Sequence, residues 1–364
     1  MTRTLRIGYL PLTDAGLLFV AAAKGFDREE GLAFDLFTET SWANLRDKLA
    51  IGIYDAAHML APAVVASALG LEGFIAPMIG AVALGLDGNA ISVAPPLAAG
   101  IRARLTGDAA DPVATAGALA AIVAERREKD LPPLRFAHVF PFSIHHYQLR
   151  LWMRLGNVDA EGVRLTVTPP PLMGESLRGG YVNGFCVGEP WNSLARAAGD
   201  AEILHSCRVL ISDCPEKVLA FRADSARAEE ATPRAAARAI RRAALWGERE
   251  ENAREFCGLI AEGLGSGVTP AMVAATLGKD GESAPWLRLD AAATALGGIQ
   301  ALWLYVLIAA HGQAAVSEQF SVRARDAFLG HDEALAPKAP AFFDGPFEEK
   351  TWRAILAALS SARR

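Results

Sequence analysis

The sequence predicts an α/β fold of two lobes with mainly parallel sheets and a helical C-terminal part. Three observations predict it. The chain has 364 residues, which is too long for one typical hydrophobic core. Short apolar strands alternate with helices over residues 5–94 and again over residues 135–187, as they do in βαβ units. After about residue 222 the strand pattern ends and helical periodicity continues.

The N-terminal part alternates strand and helix from its first residues. Its predicted strands are Leu5–Leu10, Leu32–Thr38 and Ile53–His58, with two further apolar runs at Phe74–Pro77 and Ala90–Ala94. Its predicted helices are Ala15–Ala23 capped by Thr13 or Asp14, Trp42 to about Ile51 capped by Thr40-Ser41, and Pro62–Leu69. This order favours a sheet with helices on both faces.

Pro95-Pro96 marks a break, after which a second α/β unit begins. Residues 97–134 read as helical. The predicted strands that follow are Arg135–Val139, Val163–Val167, Gly184–Val187, Arg208–Ser212 and Val218–Arg222. The predicted helices are His145–Leu155, one that ends at Leu177–Gly180, and then Ala235–Trp246, Glu251–Glu262 and Met272–Leu277.

Composition excludes several classes of protein. The net charge of −5 and the pI near 5.9 argue against nucleic acid or an acidic membrane surface as a direct partner. The four cysteines form no CxxC pair and read as free thiols. The uncharged stretch 291–310 is long enough to span a membrane, but Gly297, Gly298 and Gln300 interrupt it, so it predicts a buried helix.

Several helix starts carry residues suited to a small anion. A helix N-terminus presents unpaired N–H groups and a partial positive charge. Trp42 and His145 lie in two such first turns, and Lys217 follows the turn Asp213-Cys214-Pro215. An indole offers one N–H donor and a flat face, which suit a planar ion that only accepts hydrogen bonds. Each residue alone is more often core, cap or solvated surface, and only the combination indicates a site.

Enzyme chemistry finds little support in the sequence. It contains no HExxH, GxSxG, Walker A or strand-linked GxGxxG motif, and no cofactor motif. A cysteine–histidine nucleophile would require Cys186 or Cys214, and Cys186 reads as buried strand filler. No close spacing of His, Asp or Glu predicts a metal site.

Five segments together resemble a known family. They are Ser41-Trp42-Ala43-Asn44-Leu45-Arg46-Asp47, Ala57-His58-Met59-Leu60-Ala61-Pro62, Phe140-Pro141 with His145, Gly184-Phe185-Cys186-Val187-Gly188-Glu189-Pro190-Trp191-Asn192, and Pro215-Glu216-Lys217-Val218-Leu219. They resemble the nitrate- and bicarbonate-binding solute-binding proteins of ABC transporters and, within them, the cytosolic nitrate/nitrite sensors of the NasS type. The similarity runs from about residue 5 to 250.

The resemblance implies a periplasmic-binding-protein-like fold of type II, with two lobes that close on the ion. Carried over by position, it implies that Trp42, His145, Gly188 and Lys217 hold the ion, and we add His58 from the second motif. Bicarbonate-binding relatives carry an acid where Lys217 stands, so this lysine favours nitrate or nitrite.

One position is ambiguous in the sequence. Asn89 matches the place where relatives put a side-chain amide donor. A shift of two residues would put Asp87 there, and a carboxylate about 4 Å from the ion would repel it by roughly 4 kcal/mol. We therefore expect Asp87 to point away from the ion or to pair with a cation.

The predicted lobes are residues 1–92 plus 215–364 and residues 93–214. The ion is expected between Trp42 and Asn89 of the first and His145 and Gly188 of the second, with Lys217 near the hinge. The leading hypothesis is a sensor of nitrate or nitrite that controls an antiterminator protein. The alternatives are a transporter's binding protein for nitrate, bicarbonate or a sulfonate and, last, an enzyme on the same fold.

The expected location is the cytosol, because no apolar export segment is visible after Met1. A different start that encodes a signal peptide would move the protein to the periplasm or the membrane surface.

Overall fold

The structure is a computed structural model that describes residues 2–71, 73–265, 267–315, 317–329, 341–342 and 345–346. The chain forms two compact units, Met1–Asp87 with Ser212–Arg364, and Gly88–Ile211. These divisions lie a few residues before those predicted from the sequence, so Asn89 belongs to the second unit, whereas the sequence analysis assigned it to the first.

The first unit begins with alternating strands and helices. They are β1 (Arg3–Tyr9), α1 (Gly16–Lys24), α2 (Phe26–Glu29), β2 (Leu32–Thr38), α3 (Trp42–Ala50), β3 (Ala56–Leu60), α4 (Ala61–Leu69), β4 (Met78–Ala83) and β5 (Leu86–Asp87). A 3-10 turn, Thr13–Ala15, joins β1 to α1.

The second unit lies between the two chain segments of the first. Its elements are β6 (Asn89–Val93), α5 (Pro95–Arg102), α6 (Pro112–Glu128), β7 (Leu134–His138), α7 (Ile144–Leu155), β8 (Val163–Val167), α8 (Met173–Arg178), β9 (Gly184–Gly188), α9 (Trp191–Ala197) and β10 (Glu202–Ser206). The short strand β11 (Ile211–Ser212) follows at the boundary.

The C-terminal part of the first unit is one long strand followed by helices. Its elements are β12 (Lys217–Arg222), α10 (Ala223–Ala228), α11 (Ala231–Glu248), α12 (Ala253–Leu264), α13 (Pro270–Leu277), β13 (Leu287–Arg288), α14 (Gly298–Ala310), α15 (Glu318–Arg325), β14 (Ala341–Phe342) and β15 (Gly345–Pro346).

The first unit is built on a five-stranded sheet of order β2-β1-β3-β12-β4. β1 runs parallel to β2 and β3, whereas β12 runs antiparallel to both β3 and β4. Leu5 and Ile7 of β1 and Val82 of β4 pack into one core with Ile240 of α11 and Ile260 of α12. The helical C-terminal part therefore covers the sheet that the N-terminal part begins.

The second unit has a sheet of the same plan, of order β10-β6-β9-β7-β8. β7 runs parallel to β8 and β9, and β6 runs antiparallel to β9 and β10. Each sheet therefore has two parallel and two antiparallel pairings, and the prediction of mainly parallel sheets is only half right. The antiparallel strands β6 and β12 are the ones that follow directly after the chain changes unit.

Several predicted elements differ from the observed ones. Phe74–Pro77 is a partly exposed loop, and the strand starts only at Met78, where the side chains become buried. The region 97–134 is two helices separated by a turn, not one. The strand β10 was not predicted, because its side chains are mostly half-buried and give no clear alternation.

The uncharged stretch near residue 300 is a buried helix, as predicted. α14 is buried along almost its whole length and packs on α4 and α15. Within the described residues, no helix has the length and apolar character that a membrane span requires.

Candidate functional site

Polar side chains gather at one edge of the first sheet. The carboxyl ends of β1, β2, β3 and β4 and the amino end of β12 meet there, as the strand directions require. Asp14 follows β1, Trp42 begins the helix after β2, and Lys217 is the first residue of β12, opposite Leu60. In open α/β sheets, ligands bind at the carboxyl ends of the strands.

Lys217 is the centre of this edge cluster and is fully buried. Its Nζ lies 2.8 Å from Asp14 Oδ2 and 3.9 Å from Glu216 Oε2. Burial alone would raise the pKa of Asp14, but the charges of Lys217 and His58 outweigh it and hold the pKa well below its ordinary value. Asp14 is therefore a carboxylate in the folded protein, and Lys217 has a fixed buried counter-ion.

His58 and Trp42 complete the cluster of the first unit. His58 Nε2 lies 3.0 Å from Asp14 Oδ1, and its ring is 5.5 Å from the Trp42 ring, centroid to centroid. Trp42 is 1% exposed, and its Nε1 has no hydrogen-bond partner among the described residues; the same holds for Thr13 Oγ1. A buried indole N–H without an acceptor is costly, so a polar ligand is the natural partner for it.

The backbone at Trp42 is fixed by a helix cap. Ser41 is extended, and its side chain accepts a hydrogen bond from the Asn44 N–H at 3.2 Å. Trp42 is therefore the first residue of α3, where the helix dipole favours negative charge. Thr40-Ser41 was predicted from the sequence as this cap.

The second sheet also brings predicted residues to one edge. Asn89 pairs with Gly188 in the β6–β9 ladder, so the amino end of β6 lies beside the carboxyl end of β9. The neighbouring strand β7 ends at His138, and the loop after it leads to α7. Ser143 caps α7 by accepting from the His146 N–H, and His145 is fully buried in its first turn.

An amide pair links β6 to α7. The Asn89 Nδ2 donates to Gln148 Oε1 at 2.9 Å, and both side chains are about 1% exposed. Gln148 lies three residues after His145, so the two share a face of the helix. Because the side-chain oxygen of Gln148 accepts from Asn89, the orientation of the Gln148 amide is fixed. The NH₂ group of Gln148 is therefore held as a donor.

Asp87 has a different role from Asn89. Its backbone is in the left-handed region, with φ 66°. Its Oδ1 accepts from the Cys214 N–H at 3.0 Å, and its own N–H donates to the Cys214 carbonyl. Asp87 therefore ties two segments of the first unit together, and its carboxylate is engaged by a backbone N–H.

Glu189 is a buried carboxyl group next to the predicted residue Gly188. It follows Gly188 and is 2% exposed. Burial raises its pKa to about 7, although the Ser193 N–H donates to its Oε2. Its Oε1 has no hydrogen-bond partner in the described part of the chain. This group changes charge near neutral pH, next to the backbone amide of Gly188.

The six predicted site residues therefore fall into two clusters. Trp42, His58 and Lys217 belong to the edge of the first sheet, and Asn89, His145 and Gly188 belong to the edge of the second. Gln148, Glu189 and the pairing of Asp14 were not predicted from the sequence, and Asp14 was predicted only as a helix cap. The i, i+3 spacing of His145 and Gln148 was the available signal for one of these.

Cysteines and metal ligands form no site in the described residues. All four cysteines are buried and none forms a disulfide bond, although the Sγ atoms of Cys186 and Cys207 lie 3.6 Å apart. Among the residues that the structure describes, no group of three or more His, Cys, Asp or Glu side chains is arranged to hold a metal ion.

Comparison with known proteins extends this picture. The model of the NMT1-like family matches residues 1–261. The "Nitrate/nitrite binding protein NrtA" of Nostoc sp. strain PCC 7120 is 30% identical over 273 residues, which are 72% of this chain. The chain spans only 58% of the length of that relative.

Two solved structures share the fold. The periplasmic nitrate-binding protein NrtA from Synechocystis PCC 6803 has a TM-score of 0.83 and 21% sequence identity, with 98% of each chain covered. The alkanesulfonate-binding protein SsuA from Xanthomonas axonopodis pv. citri, bound to MOPS, has a TM-score of 0.60 and 17% identity, with 90% of this chain and 98% of that chain covered. The periplasmic-binding-protein-like fold predicted from the sequence is thereby confirmed.

Proposed function

The chain belongs to the NMT1-like family, and from that premise we propose that it is a solute-binding protein for a small oxyanion, nitrate or nitrite. The names of the relatives described above are those of binding proteins for nitrate, nitrite or sulfonate, and none describes an enzyme. This agrees with the absence of enzyme motifs in the sequence.

One observation carries the proposal. The Trp42 indole N–H is buried and has no acceptor among the residues that the structure describes, and it lies in the same cluster as the buried ammonium of Lys217 and the His58 ring. A planar monoanion such as nitrate supplies the acceptor that the Trp42 N–H lacks, because its oxygen atoms accept hydrogen bonds all around the plane of the ion. Its negative charge also interacts favourably with the Lys217 ammonium, and it has no proton that would need an acceptor in the protein.

We propose that Trp42, His58 and Lys217 contact the ligand in the first unit, while Asn89, His145 and Gly188 stay predicted contacts in the second. Gln148 joins them as an amide donor oriented by Asn89. Asp87 is left out, because its carboxylate is engaged by the Cys214 amide.

The charge of the first cluster favours a monoanion. Lys217 is already opposed by Asp14, and Glu216 lies within 3.9 Å of its Nζ. A second negative charge on the ligand would add to this buried negative charge at a distance of a few ångströms, which is unfavourable in a low-dielectric site. Nitrate and nitrite therefore fit better than sulfate, while bicarbonate and a sulfonate remain the competing ligands to be measured.

The test replaces Trp42 by phenylalanine. Trp42→Phe keeps a ring but removes an N–H that no described residue accepts, so folding should be little affected. We expect nitrate affinity to fall by about 1.5–3 kcal/mol, the range for a hydrogen bond to a charged group. Isothermal calorimetry with nitrate, nitrite, bicarbonate, sulfate and taurine measures both the loss and the ligand preference.

The control is a second buried tryptophan. Trp152 Nε1 donates to Thr115 Oγ1 at 3.1 Å, so Trp152→Phe should cost stability in urea unfolding and leave nitrate affinity unchanged. Unaltered nitrate binding by Trp42→Phe, or no binding of any of the five anions by the wild-type chain, would refute the proposal.

The physiological role proposed is that of a transporter's binding protein. This replaces the sensor as the leading hypothesis, because the relatives are named as binding proteins and the NrtA of Synechocystis PCC 6803, which shares the fold, is a periplasmic nitrate-binding protein. The periplasm is accordingly favoured over the cytosol. The sensor role stays a prediction, and co-purification of an antiterminator that nitrate releases would support it.

A further inference from the structure

A groove lies along one side of the second unit, between helix α7 and strand β8. It contains a cavity of about 440 Å³. Met153 of α7, Val158 of the connecting loop and Leu165 of β8 form its apolar floor, and Arg150 and Arg154 of α7 line it on the helix side. The groove therefore combines an apolar floor with positive charge.

The strand that borders the groove is the edge of its sheet. In the described part of the chain, β8 pairs only with β7, in parallel. The Thr168 N–H donates to the His138 carbonyl, so residues 164, 166 and 168 direct their backbone groups toward β7. Val163, Leu165 and Val167 alternate with them and direct their N–H and C=O groups to the open side. An open edge of this kind is a template for a further strand.

The charge around the groove is positive and uncompensated. Arg150, Arg154 and Arg164 are exposed, and none of them forms an ion pair with any residue that the structure describes. The acid that lines the cavity, Asp159, is paired with Arg127. Three unpaired arginines within one helix and one strand stand out on a chain whose net charge is −5.

We propose that this groove binds an extended acidic segment of a partner protein, which adds to β8 as a new edge strand. Alternate side chains of the added strand point to opposite faces. Apolar side chains enter the cavity over Leu165, acidic ones on the other face meet Arg164, and Arg150 and Arg154 attract acidic residues at the rim. Main-chain hydrogen bonds give affinity and the pockets give specificity, as in strand addition generally.

A second copy of this chain is a poorer occupant. If two β8 edges paired with each other, Arg150, Arg154 and Arg164 of each copy would approach the same arginines of the other. Like charges opposite each other destabilise a strand pair. These three arginines form no ion pair with any described residue. Charge complementarity therefore favours an acidic segment of a different protein as the occupant.

The probe is a fluorescein-labelled octapeptide of alternating glutamate and valine, and fluorescence anisotropy measures its binding to the full chain. We expect saturable binding that weakens as salt is raised, and no binding of the lysine–valine peptide of the same pattern. Reversal of both helix charges, Arg150→Glu with Arg154→Glu, should weaken binding by about ten-fold. Arg227→Glu with Arg254→Glu makes the same change of net charge at exposed sites in the first unit and should have no effect.

The strand-addition geometry has its own test. Leu165→Pro removes an N–H that faces the open edge and leaves the bonds to β7 intact, as proline allows only on edge strands. Leu165→Ala removes the side chain alone. We expect the proline variant to lose more affinity than the alanine variant. If the proline variant misfolds by circular dichroism, an octapeptide N-methylated at alternate residues makes the same test on the wild-type chain.

Three results would overturn the proposal. They are equal binding of the acidic and basic peptides, loss of binding that is the same for both pairs of arginine variants, and full affinity of the N-methylated peptide at every register. If the chain dimerises, and if Arg164→Glu makes the dimer more stable, the edge of β8 binds a second copy of the chain instead.

Discussion

At the scale of single residues, the buried ion pair of Lys217 with Asp14 determines how much stability a substitution of either residue removes. Both side chains are almost fully buried, and the two charged atoms lie 2.8 Å apart. Removing one member of a buried pair leaves an uncompensated charge, whereas removing both is often close to neutral. Stability and ligand binding can therefore be separated at this pair.

We expect Lys217→Met to lower the free energy of unfolding by about 3–5 kcal/mol, because His58 is then the one ion-pair partner that the described residues offer to Asp14. The double change Lys217→Met with Asp14→Asn should regain most of that loss. It should not regain nitrate affinity, since the ammonium is still missing. Urea unfolding and calorimetry on both variants make the comparison, and a double variant that binds nitrate normally would contradict the ligand role of Lys217.

The sequence predicted the chemically distinctive residues better than their supports. Trp42 and Lys217 could be named as candidates because each stands in a run of residues that resembles a family. The pairing of Asp14 with Lys217 could not be found, because more than two hundred residues separate them and only the order of strands in the sheet brings them together. The choice between Asp87 and Asn89 was also open, since it depends on one left-handed residue.

At the scale of elements, helix α7 gives the second unit two polar groups on one face. His145 lies in its capped first turn, and Gln148 follows one turn later and accepts from Asn89. The same helix presents Arg150 and Arg154 to the groove beside β8. Its periodicity therefore serves two surfaces.

Gln148→Glu tests the amide on this helix. A glutamate keeps the acceptor for Asn89 but replaces the donor NH₂ by negative charge. We expect it to weaken nitrate binding by up to about 4 kcal/mol, the repulsion of two unit charges 4 Å apart at an effective dielectric near 20. Gln148→Met, which removes the donor without adding charge, should cost less. Equal nitrate affinity of the glutamate and methionine variants, measured by calorimetry, would exclude Gln148 from the ligand contacts.

The sequence predicted the presence of a helix or strand where its side chains are strongly buried. It did not predict the direction in which a strand runs in its sheet. β1, β2, α3 and β9 lie close to their predicted bounds because their apolar patterns are unambiguous. The directions of β6 and β12 depend on where the chain passes from one unit to the other, which no local pattern encodes.

At the scale of the whole molecule, buried titratable groups set the dependence of stability on pH. The pKa of Glu189 is raised to about 7, and burial lowers the pKa values of His138 and His205 to about 4. The histidines destabilise the fold as pH falls below about 6.5, because only the unfolded chain takes up their protons readily. Glu189 acts in the opposite direction.

We expect Glu189→Gln to remove a loss of stability that the wild-type protein shows at higher pH. The folded state holds the Glu189 proton up to about pH 7, whereas the unfolded chain releases it near pH 4.5. The free energy of unfolding is therefore not reduced by Glu189 below pH 4.5, and it falls by about 3 kcal/mol as pH rises from 4.5 to 7. Unfolding free energies of both proteins from pH 5 to 8 measure the difference, and parallel curves would show that Glu189 is ionised throughout.

The position of β12 in the first sheet has a consequence for biosynthesis. β12 lies between β3 and β4, yet it follows them in the chain only after the whole of the second unit. All five strands of the second sheet lie within residues 88–211, so that sheet can assemble while the ribosome is still translating. β3 can pair with β1 early, but in the described sheet β4 is joined to β3 only through β12, a strand from far downstream. Because that loop must be closed first, we expect β12 to be the last strand to enter its sheet.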